Sequence, residues 1–418
     1  MGRAWHHHRM DEGATDSQQA LVSLARDWPP EERWDLIRPP VGQDATAPDP
    51  LQAIAELRRA HPEWSPDFTA AVATQRELIA QGRSRGVIPP GPWLATRVGL
   101  EQSTRLSVAR RRADHLVGAG VASVVDLSAG LGVDAWACAE AGLRVVAIER
   151  DLLTAELCRA NVPAARVHHA DSSAVAVDLA DGLPPPVCWL VDPSRRSASL
   201  RPDGTRAGPE RDPQRWSPPW SFVEDLRGTR EWVAAKAPGG FRPGQGWSAE
   251  WVGVADYVAE CAVYSFPDQA LMHPRQATLL GAGVDGSDLT HEVTDGGAPV
   301  GTVGDYLGEP HPVFHRALAS LCGDTARLVS AESTWITSGA PTIPGVRWLR
   351  VIDTAPLKRM GALARAHGVE SVAVKSREST MSLGAVRSKI GLPDGNEFAV
   401  VIARGLPDAI LAHFVPAT

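Results

Sequence analysis

From residue 122 onward the chain alternates short apolar runs with segments of helical character, and no other feature constrains its fold as strongly. This alternation is typical of a parallel sheet with helices on both faces. The predicted strands are 123–127, 143–149, 165–171, 187–192 and 231–240. The predicted helices are 134–141, 153–162 and 217–228. A strand pair at 249–265 adds an antiparallel edge hairpin, so we expect a doubly wound α/β sheet of the Rossmann-like kind.

The regions on either side of this sheet differ from it in composition. Residues 1–20 are polar and predict a disordered tail, whereas 21–117 predict a helical region. The glycine-rich segment 283–299 predicts a linker, and 300–418 predicts a smaller α/β domain. We therefore expect the doubly wound domain to span 118–282.

Three signals place helices in the N-terminal region. Asp49-Pro50 and Ser65-Pro66 each offer an N-cap side chain followed by a proline at the first helical position. Gly82 stands where a C-cap glycine would end the second of these helices. A third helix is predicted over about 101–117.

Composition excludes several classes of protein. The 418-residue chain carries a net charge of −7, so no basic field over the whole chain points to nucleic acid or membrane. No run of about 18 apolar residues is present, and the start MGRAWHHHRM lacks the apolar core of a signal peptide. The cysteines are odd in number and form no C-x-x-C pair, so we expect no disulfide framework, no metal site and a reduced cytoplasmic location. They are Cys138, Cys158, Cys188, Cys261 and Cys322.

The segment DLSAGLGVD (126–134) lies between a strand and a helix and predicts a cofactor-binding turn. Glycine at 130 and 132 would allow a close approach of the backbone to a ligand at the helix N-terminus. A dinucleotide fingerprint can be placed on Gly130, Gly132 and Ala135. The first glycine of that fingerprint should follow the strand almost at once, but Ser128 occupies that place here. The alternative is the S-adenosylmethionine (SAM) site of a class I methyltransferase, in which consecutive strands end in acids.

The acids at three successive strand ends favour SAM. Asp126 would hold the turn or the methionine ammonium, and Glu149 would accept both ribose hydroxyls. Asp171 would read the adenine amino group. Each acid also has a structural alternative. Asp126 could cap a helix, Glu149 could be a solvated strand end, and Asp171 could be a turn residue. The other predicted cofactor-binding residues are Gln102, Ser128, Gly130, Gly132 and Asp134.

The fourth strand ends in Asp192-Pro193-Ser194-Arg195-Arg196, where we place the catalytic group. Class I enzymes that methylate amino groups of bases carry [DNS]-P-P-aromatic here, and its polar oxygen orients the target nitrogen. Asp192 and Pro193 keep the first half of that motif, whereas Arg195 and Arg196 would contact substrate. A solvated turn is the alternative. The sequence SPPW (217–220) spells the motif in full, but it follows no strand and predicts the opening of a helix.

Several segments together resemble one bacterial family, the class I SAM-dependent methyltransferase-like proteins with a C-terminal THUMP-like domain. They include GLEQSTRLSVARRRADHL, DLSAGLGVDAWACAEAGLRVVAIERD, VDPSRR, WSPPWSFVEDL and LKRMGALARAHGVESVAVKSR. The resemblance covers roughly 50–415 and implies SAM as the cofactor and RNA as the substrate, because THUMP domains bind RNA in several tRNA-modifying enzymes. The glycine turn is also similar to that of RNA cap guanine-N2 methyltransferases, whose S-P-P-W motif is replaced here by DPSR.

The C-terminal region adds a charge argument for RNA. Between 342 and 404 there are ten Lys or Arg and five Asp or Glu, a local net charge of +5. Lys358 and Lys375 lie in this stretch and are predicted substrate contacts, since a basic face suits phosphate. We therefore expect methylation of a base nitrogen in tRNA or rRNA. A methyltransferase for a small molecule or protein, and a catalytically silent SAM- or RNA-binding module, remain alternatives.

Overall fold

The computed structural model describes residues 15–38, 50–172, 177–195, 208–267, 274–283, 285–376 and 381–416. These fall into two compact units. The first lies within 1–237 and 262–272, and the second within 238–261 and 273–418. No helix among the described residues is long and apolar enough to cross a membrane.

Among the described residues, six helices precede the first strand. They are α1 (Asp16–Arg26), α2 (Pro30–Ile37), α3 (Pro50–Ala60), α4 (Pro66–Ser84), α5 (Arg97–Gln102) and α6 (Leu106–Gly118). The predicted disordered tail, residues 1–20, is too long, because α1 begins at Asp16. Thr15 accepts a hydrogen bond from the Gln18 amide, and the Gln18 side chain accepts one from Thr15, which completes a capping box.

Two predicted helix ends in this region were wrong. Helix α4 continues to Ser84, so Gly82 lies inside it. A Cβ at Gly82 would come within 2.3 Å of the Ile88 side chain, which explains the glycine at this position. The predicted 101–117 helix is two helices, because Ser103 is extended and ends α5. The Ser65 cap of α4 is confirmed, and Asp49 lies outside the described residues.

The N-terminal helices share one core with the sheet domain. Arg26 pairs with Glu156 at 2.8 Å, and buried Arg33 donates to the carbonyl of Ala160 at 2.9 Å. Apolar side chains from α1, α3 and α4 belong to the same buried cluster as those of the first two strands. The helical region therefore packs as part of the first unit.

The described part of the first unit contains five parallel strands and part of a sixth. They are β1 (Ser123–Asp126), β2 (Arg144–Glu149), β3 (Arg166–His169), β4 (Val187–Val191) and β5 (Val233–Ala237), followed by the end of β7 (Tyr257–Ser265). Their order is β3-β2-β1-β4-β5-β7. The helices between them are α7 (Val133–Glu140), α8 (Leu152–Asn161) and α9 (Trp220–Thr229). The predicted doubly wound α/β fold is confirmed, and the carboxyl ends of β1, β2 and β4 meet at one edge.

The second unit contains the start of β7, three neighbouring strands and a separate seven-stranded sheet. The neighbours are β6 (Ser248–Val254), β8 (Gln276–Leu279) and β9 (Leu289–Glu292), in the order β7-β6-β8-β9. Two residues join β6 to β7, as predicted for a hairpin. The predicted linker 283–299 is corrected, because β9 pairs antiparallel with β8 within it.

The second sheet of this unit carries the C-terminal α/β region. Its strands are β10 (Tyr306–Pro310), β11 (Ala326–Leu328), β12 (Ile336–Ser338), β13 (Val346–Ala355), β14 (Ala373–Ser376), β15 (Phe398–Ile402) and β16 (Ala409–Phe414). Their order is β11-β12-β10-β13-β16-β15-β14. The short helix α10 (Leu318–Cys322) precedes β11, and α11 (Leu357–Ala366) and α12 (Leu383–Ile390) pack together beside buried Val400 and Leu411.

Candidate active site

The turn after β1 is held by the acid that ends the strand. Asp126 is 2% exposed, and its carboxylate accepts a hydrogen bond from the Ser128 amide at 3.1 Å. Burial, and next the negative charge of Asp134, raise the pKa of Asp126 to about 7. The predicted role of Asp126 beneath the turn is consistent with this contact.

Glu149 ties the end of β2 to the same turn. One of its oxygens accepts the Gly130 amide at 2.9 Å, and the other accepts the Asp151 amide at 2.9 Å. Each carboxylate oxygen has two acceptor positions, so both oxygens keep capacity for a further hydroxyl donor. The carboxylate is thereby fixed in orientation beside the glycine turn.

Glycine is needed at the two positions of the turn for different reasons. Both have positive φ, 54° at Gly130 and 90° at Gly132. A Cβ at Gly130 would meet no atom within 4 Å, so this side of the turn is open. A Cβ at Gly132 would lie 2.7 Å from Val162 and 2.9 Å from the Cys158 sulfur. Gly132 therefore serves the packing of the turn against α8, and only Gly130 leaves room for a ligand.

A buried lysine that sequence reasoning missed lies at the centre of the site. Lys236 near the end of β5 is 9% exposed, and its ammonium donates to Asp192 at 2.5 Å and to Asp134 at 3.1 Å. It also donates to the Thr104 hydroxyl at 2.5 Å. A charge inside the apolar run VAAKA was the available signal, because a buried charge needs partners. Thr104 lies in the break between α5 and α6.

Asp134 is bound by three protein side chains, and its contact with a cofactor stays a prediction. Its carboxylate forms an ion pair with Arg112 of α6 and a hydrogen bond with Thr104 at 2.7 Å, besides the contact with Lys236. Burial alone would raise the pKa of Asp134, but Arg112 and Lys236 outweigh burial and lower the pKa to about 2. Asp134 therefore anchors the helix start of α7 and Lys236.

Asp192 is held from two sides. Its amide donates to the Ser128 hydroxyl at 2.6 Å, which links β4 directly to the glycine turn. Its carboxylate is 39% exposed and meets Lys236 through one oxygen. Pro193 is buried beside it. Ser128 thus has a structural role that glycine in its place could not supply.

The SPPW segment lies beside the DPSR motif and is more than a helix opening. Ser194 and Ser217 exchange backbone hydrogen bonds of 2.8 and 2.9 Å, and α9 begins only at Trp220. The predicted start of this helix at Ser217 was wrong, because that residue pairs with Ser194. Trp216 and Trp220 are buried and form an edge-to-face pair, so neither presents an open stacking face. Arg195 is half-buried, and Arg196 lies outside the described residues.

Three of the four remaining predicted site residues are exposed. Asp171 is exposed two residues beyond β3, and Gln102 is the exposed last residue of α5. In the second unit Lys358 is exposed on α11. Lys375 is bound to Glu309 at 3.1 Å, so its charge is already partly neutralised.

Comparison with known proteins agrees with this architecture. Residues 346–413 match the THUMP domain-like family, and no curated protein matches the chain. The crystal structure of a candidate methyltransferase from Porphyromonas gingivalis W83 is similar over 94% of this chain and 98% of that chain, with 18% identity and a TM-score of 0.58. A candidate class I SAM-dependent methyltransferase from Listeria monocytogenes matches over 64% and 93% at 10% identity, with a TM-score of only 0.33.

The structural similarity shows the fold of the chain, and the family match identifies one domain within it. The chain has a class I methyltransferase fold and carries a THUMP-like domain over 346–413. The predicted resemblance is confirmed at this level. The strand order also differs from the 3-2-1-4-5-6 order of dinucleotide-binding folds, because β7 of the hairpin lies next to β5.

The residues around the turn fit SAM. Glu149 has acceptor capacity on both oxygens beside the open side of Gly130, as the two ribose hydroxyls require. Buried Asp126 lies under the same turn, and the backbone amide of Asp192 is joined to that turn through the Ser128 hydroxyl. The buried thiols are unsuited to nucleophilic catalysis, since burial raises the pKa of Cys138, Cys158 and Cys188.

Proposed function

We propose that this protein transfers a methyl group from SAM to a nitrogen of an RNA base, in tRNA or rRNA. The observation that carries the proposal is the fixed position of Asp192 beside the glycine turn. Ser128 holds its backbone at 2.6 Å, and Lys236 holds one carboxylate oxygen at 2.5 Å. This preorganisation suits a reaction in which positioning is the main catalytic contribution.

The cofactor would be held by the turn and the acids beside it. Glu149 would bind the ribose hydroxyls, the open side of Gly130 would admit the cofactor, and Asp126 would support the turn or the methionine ammonium. Asp171 would contact the adenine, and Gln102 would lie at the methionine end. When bound, SAM supplies an electrophilic methyl group on sulfur.

Asp192 would orient the nitrogen that receives the methyl group. Its second carboxylate oxygen has no hydrogen-bond partner among the described residues and belongs to a side chain that is 39% exposed. This oxygen would accept a hydrogen bond from the target N–H and direct the nitrogen lone pair toward the methyl. Buried Pro193 would limit the backbone freedom of the motif. Lys236 is a positioning residue that acts through Asp192.

RNA as the substrate is supported by the THUMP-like match over 346–413 and by the local charge of +5 over 342–404. Exposed Lys358 is the stronger of the two predicted lysine contacts, because Lys375 already pairs with Glu309. Arg195 and Arg196 would contact the substrate near the motif. The five cysteines and the absence of C-x-x-C pairs support a cytoplasmic location.

A second candidate function is a SAM-binding module without turnover. It is favoured by the ion pair between Asp192 and Lys236, which already engages one carboxylate oxygen. It is also favoured by the burial of Trp216 and Trp220, since neither offers a stacking face for a target base.

Methyl transfer can be tested with methyl-labelled SAM and RNA from cells that lack this gene. We expect label in one nucleoside, identified by chromatography and mass, and loss of that label in Asp192→Asn. Asp114→Asn is the matched control, because Asp114 is exposed on α6 of the same unit. SAM binding with no labelled RNA would contradict the proposed function and support the silent module or another substrate.

A further inference from the structure

The loop 238–244, of sequence PGGFRPG, follows β5 and is clamped in one conformation within the second unit. Arg316 donates to the carbonyls of Gly239 and Gly240 at 3.3 and 2.9 Å. Arg275 donates to the carbonyls of Pro243 and Gly244 at 3.2 and 2.9 Å. The two guanidinium groups therefore fix both ends of the loop, with Arg242 between them.

Further contacts hold the middle of the loop. The indole of Trp251 donates to the carbonyl of Phe241 at 3.3 Å. A Cβ at Gly239 would lie 2.5 Å from the Val258 side chain, so glycine allows the loop to approach β7 closely. Arg242 is exposed on a backbone that is already ordered. Binding through this side chain would cost little loop entropy.

Three arginines at this loop keep their positive charge without a carboxylate partner among the described residues. Among the described residues, Arg242, Arg275 and Arg316 form no hydrogen bond or ion pair with a carboxylate. Burial, and next the charge of Arg242, lower the pKa of Arg316. Such a concentration of charge in a protein of net charge −7 is favourable when an anion binds to it.

A surface cavity of about 280 Å³ lies against this cluster. Its walls include Arg242, Arg316, His315 and Trp251. The Arg316 guanidinium lies over the Trp251 ring at 5.0 Å and is held there by the loop carbonyls. Planar guanidinium donors at a cavity of this kind match the oxygens of a phosphate group.

We infer that the cavity at Arg242 and Arg316 binds a phosphate of the RNA backbone, at a site separate in sequence from the THUMP-like segment. This inference rests on RNA being the substrate, as proposed above. Arg242 provides the exposed contact, and Arg316 provides a preoriented one. The phosphodiester is favoured over a free phosphate because the cavity is open and carries an exposed arginine.

The test measures binding of a fluorescein-labelled single-stranded RNA to the full-length protein by anisotropy at several salt concentrations. We expect Arg242→Ala to weaken binding by about fivefold. The slope of log K against log salt should fall by about one. Arg242→Lys should restore much of both effects because it keeps the charge. Arg58→Ala is the control, since Arg58 is exposed on α3 and lies outside both the loop 238–244 and the basic stretch 342–404.

Three results would overturn the inference. The first is RNA binding that Arg242→Ala and Arg58→Ala affect equally, and the second is no RNA binding by the wild-type protein. The third is binding of a nucleoside monophosphate as tightly as of RNA, which would indicate a free phosphate ligand. Arg242-dependent RNA binding without methyl transfer would refute only the proposed function. Methyl transfer to RNA with binding indifferent to Arg242 would refute only this site.

Discussion

At the scale of single residues, Lys236 determines how the candidate site is built. A buried ammonium loses its hydration, and this cost is offset only by partners with good geometry. Lys236 has such partners in Asp192, Asp134 and Thr104, which come from three different segments of the first unit. The side chain therefore joins the Asp192 motif that follows β4 to the helix start of α7.

Removal of this ammonium should destabilise the protein strongly. We expect Lys236→Met to lower the free energy of unfolding by about 3 kcal/mol, because it leaves carboxylates without their buried partner. The measurement is urea denaturation followed by circular dichroism. Lys358→Met serves as the control, since Lys358 is exposed and its loss should change stability little. Equal effects of the two substitutions would contradict the role assigned to Lys236.

Asp126 should make stability depend on pH. Its pKa is about 7 in the folded protein against 3.8 in the unfolded reference, so the folded state holds a proton that the unfolded chain has lost. Its contribution is therefore full below about pH 4 and is lost as the pH rises to 7. Between pH 5 and 8, wild type should lose about 3 kcal/mol relative to Asp126→Asn. Parallel stability curves for the two proteins would show that Asp126 titrates normally.

At the scale of elements, the two glycines of the turn have different roles: Gly130 leaves room for a ligand, and Gly132 allows close packing. Gly132→Ala should lower the free energy of unfolding by about 3 kcal/mol, because the new Cβ overlaps Val162 and Cys158 at a positive φ. Gly130→Ala should cost only about 1 kcal/mol, since its Cβ meets open space. Thermal denaturation of both variants tests this, and a reversed ranking would contradict the packing described here.

The segment predicted as a linker should be protected where it forms β9. Residues 289–292 pair with β8, and the carbonyl of Glu292 accepts a hydrogen bond from Ser320 at 2.6 Å. In hydrogen exchange by mass spectrometry, we expect these amides to exchange more slowly than those of the neighbouring turn 285–288. Uniformly fast exchange across 285–292 would support the original linker prediction.

Element prediction succeeded where the pattern was local and failed where tertiary contacts decided. Apolar runs located β1, β2, β4 and β5, because buried parallel strands are apolar along most of their length. The break after Gln102 has no proline or glycine signal, and Thr104 beyond it is bound to Asp134 and Lys236. The acids at strand ends were visible in sequence, whereas the partnership of Lys236 with Asp192 depends on distant segments.

At the scale of the whole molecule, the concentrated positive charge belongs to the second unit and the candidate cofactor site to the first. The chain is acidic overall, yet 342–404 carries a net charge of +5, and the arginine cluster at loop 238–244 adds uncompensated positive charge in the second unit. The first unit holds the glycine turn and the Asp192 motif. We therefore expect RNA affinity to fall steeply with salt, whereas SAM affinity should change little.

The central prediction is that the turn at Gly130 and Glu149 binds SAM and not a dinucleotide. Calorimetric titration of the full-length protein with SAM, and separately with NADH, tests it directly. We predict that SAM binds, that NADH does not, and that Glu149→Gln weakens SAM binding by about tenfold, while Glu140→Gln on the exposed end of α7 leaves it unchanged. Binding of NADH without SAM, or SAM binding insensitive to Glu149, would contradict the account.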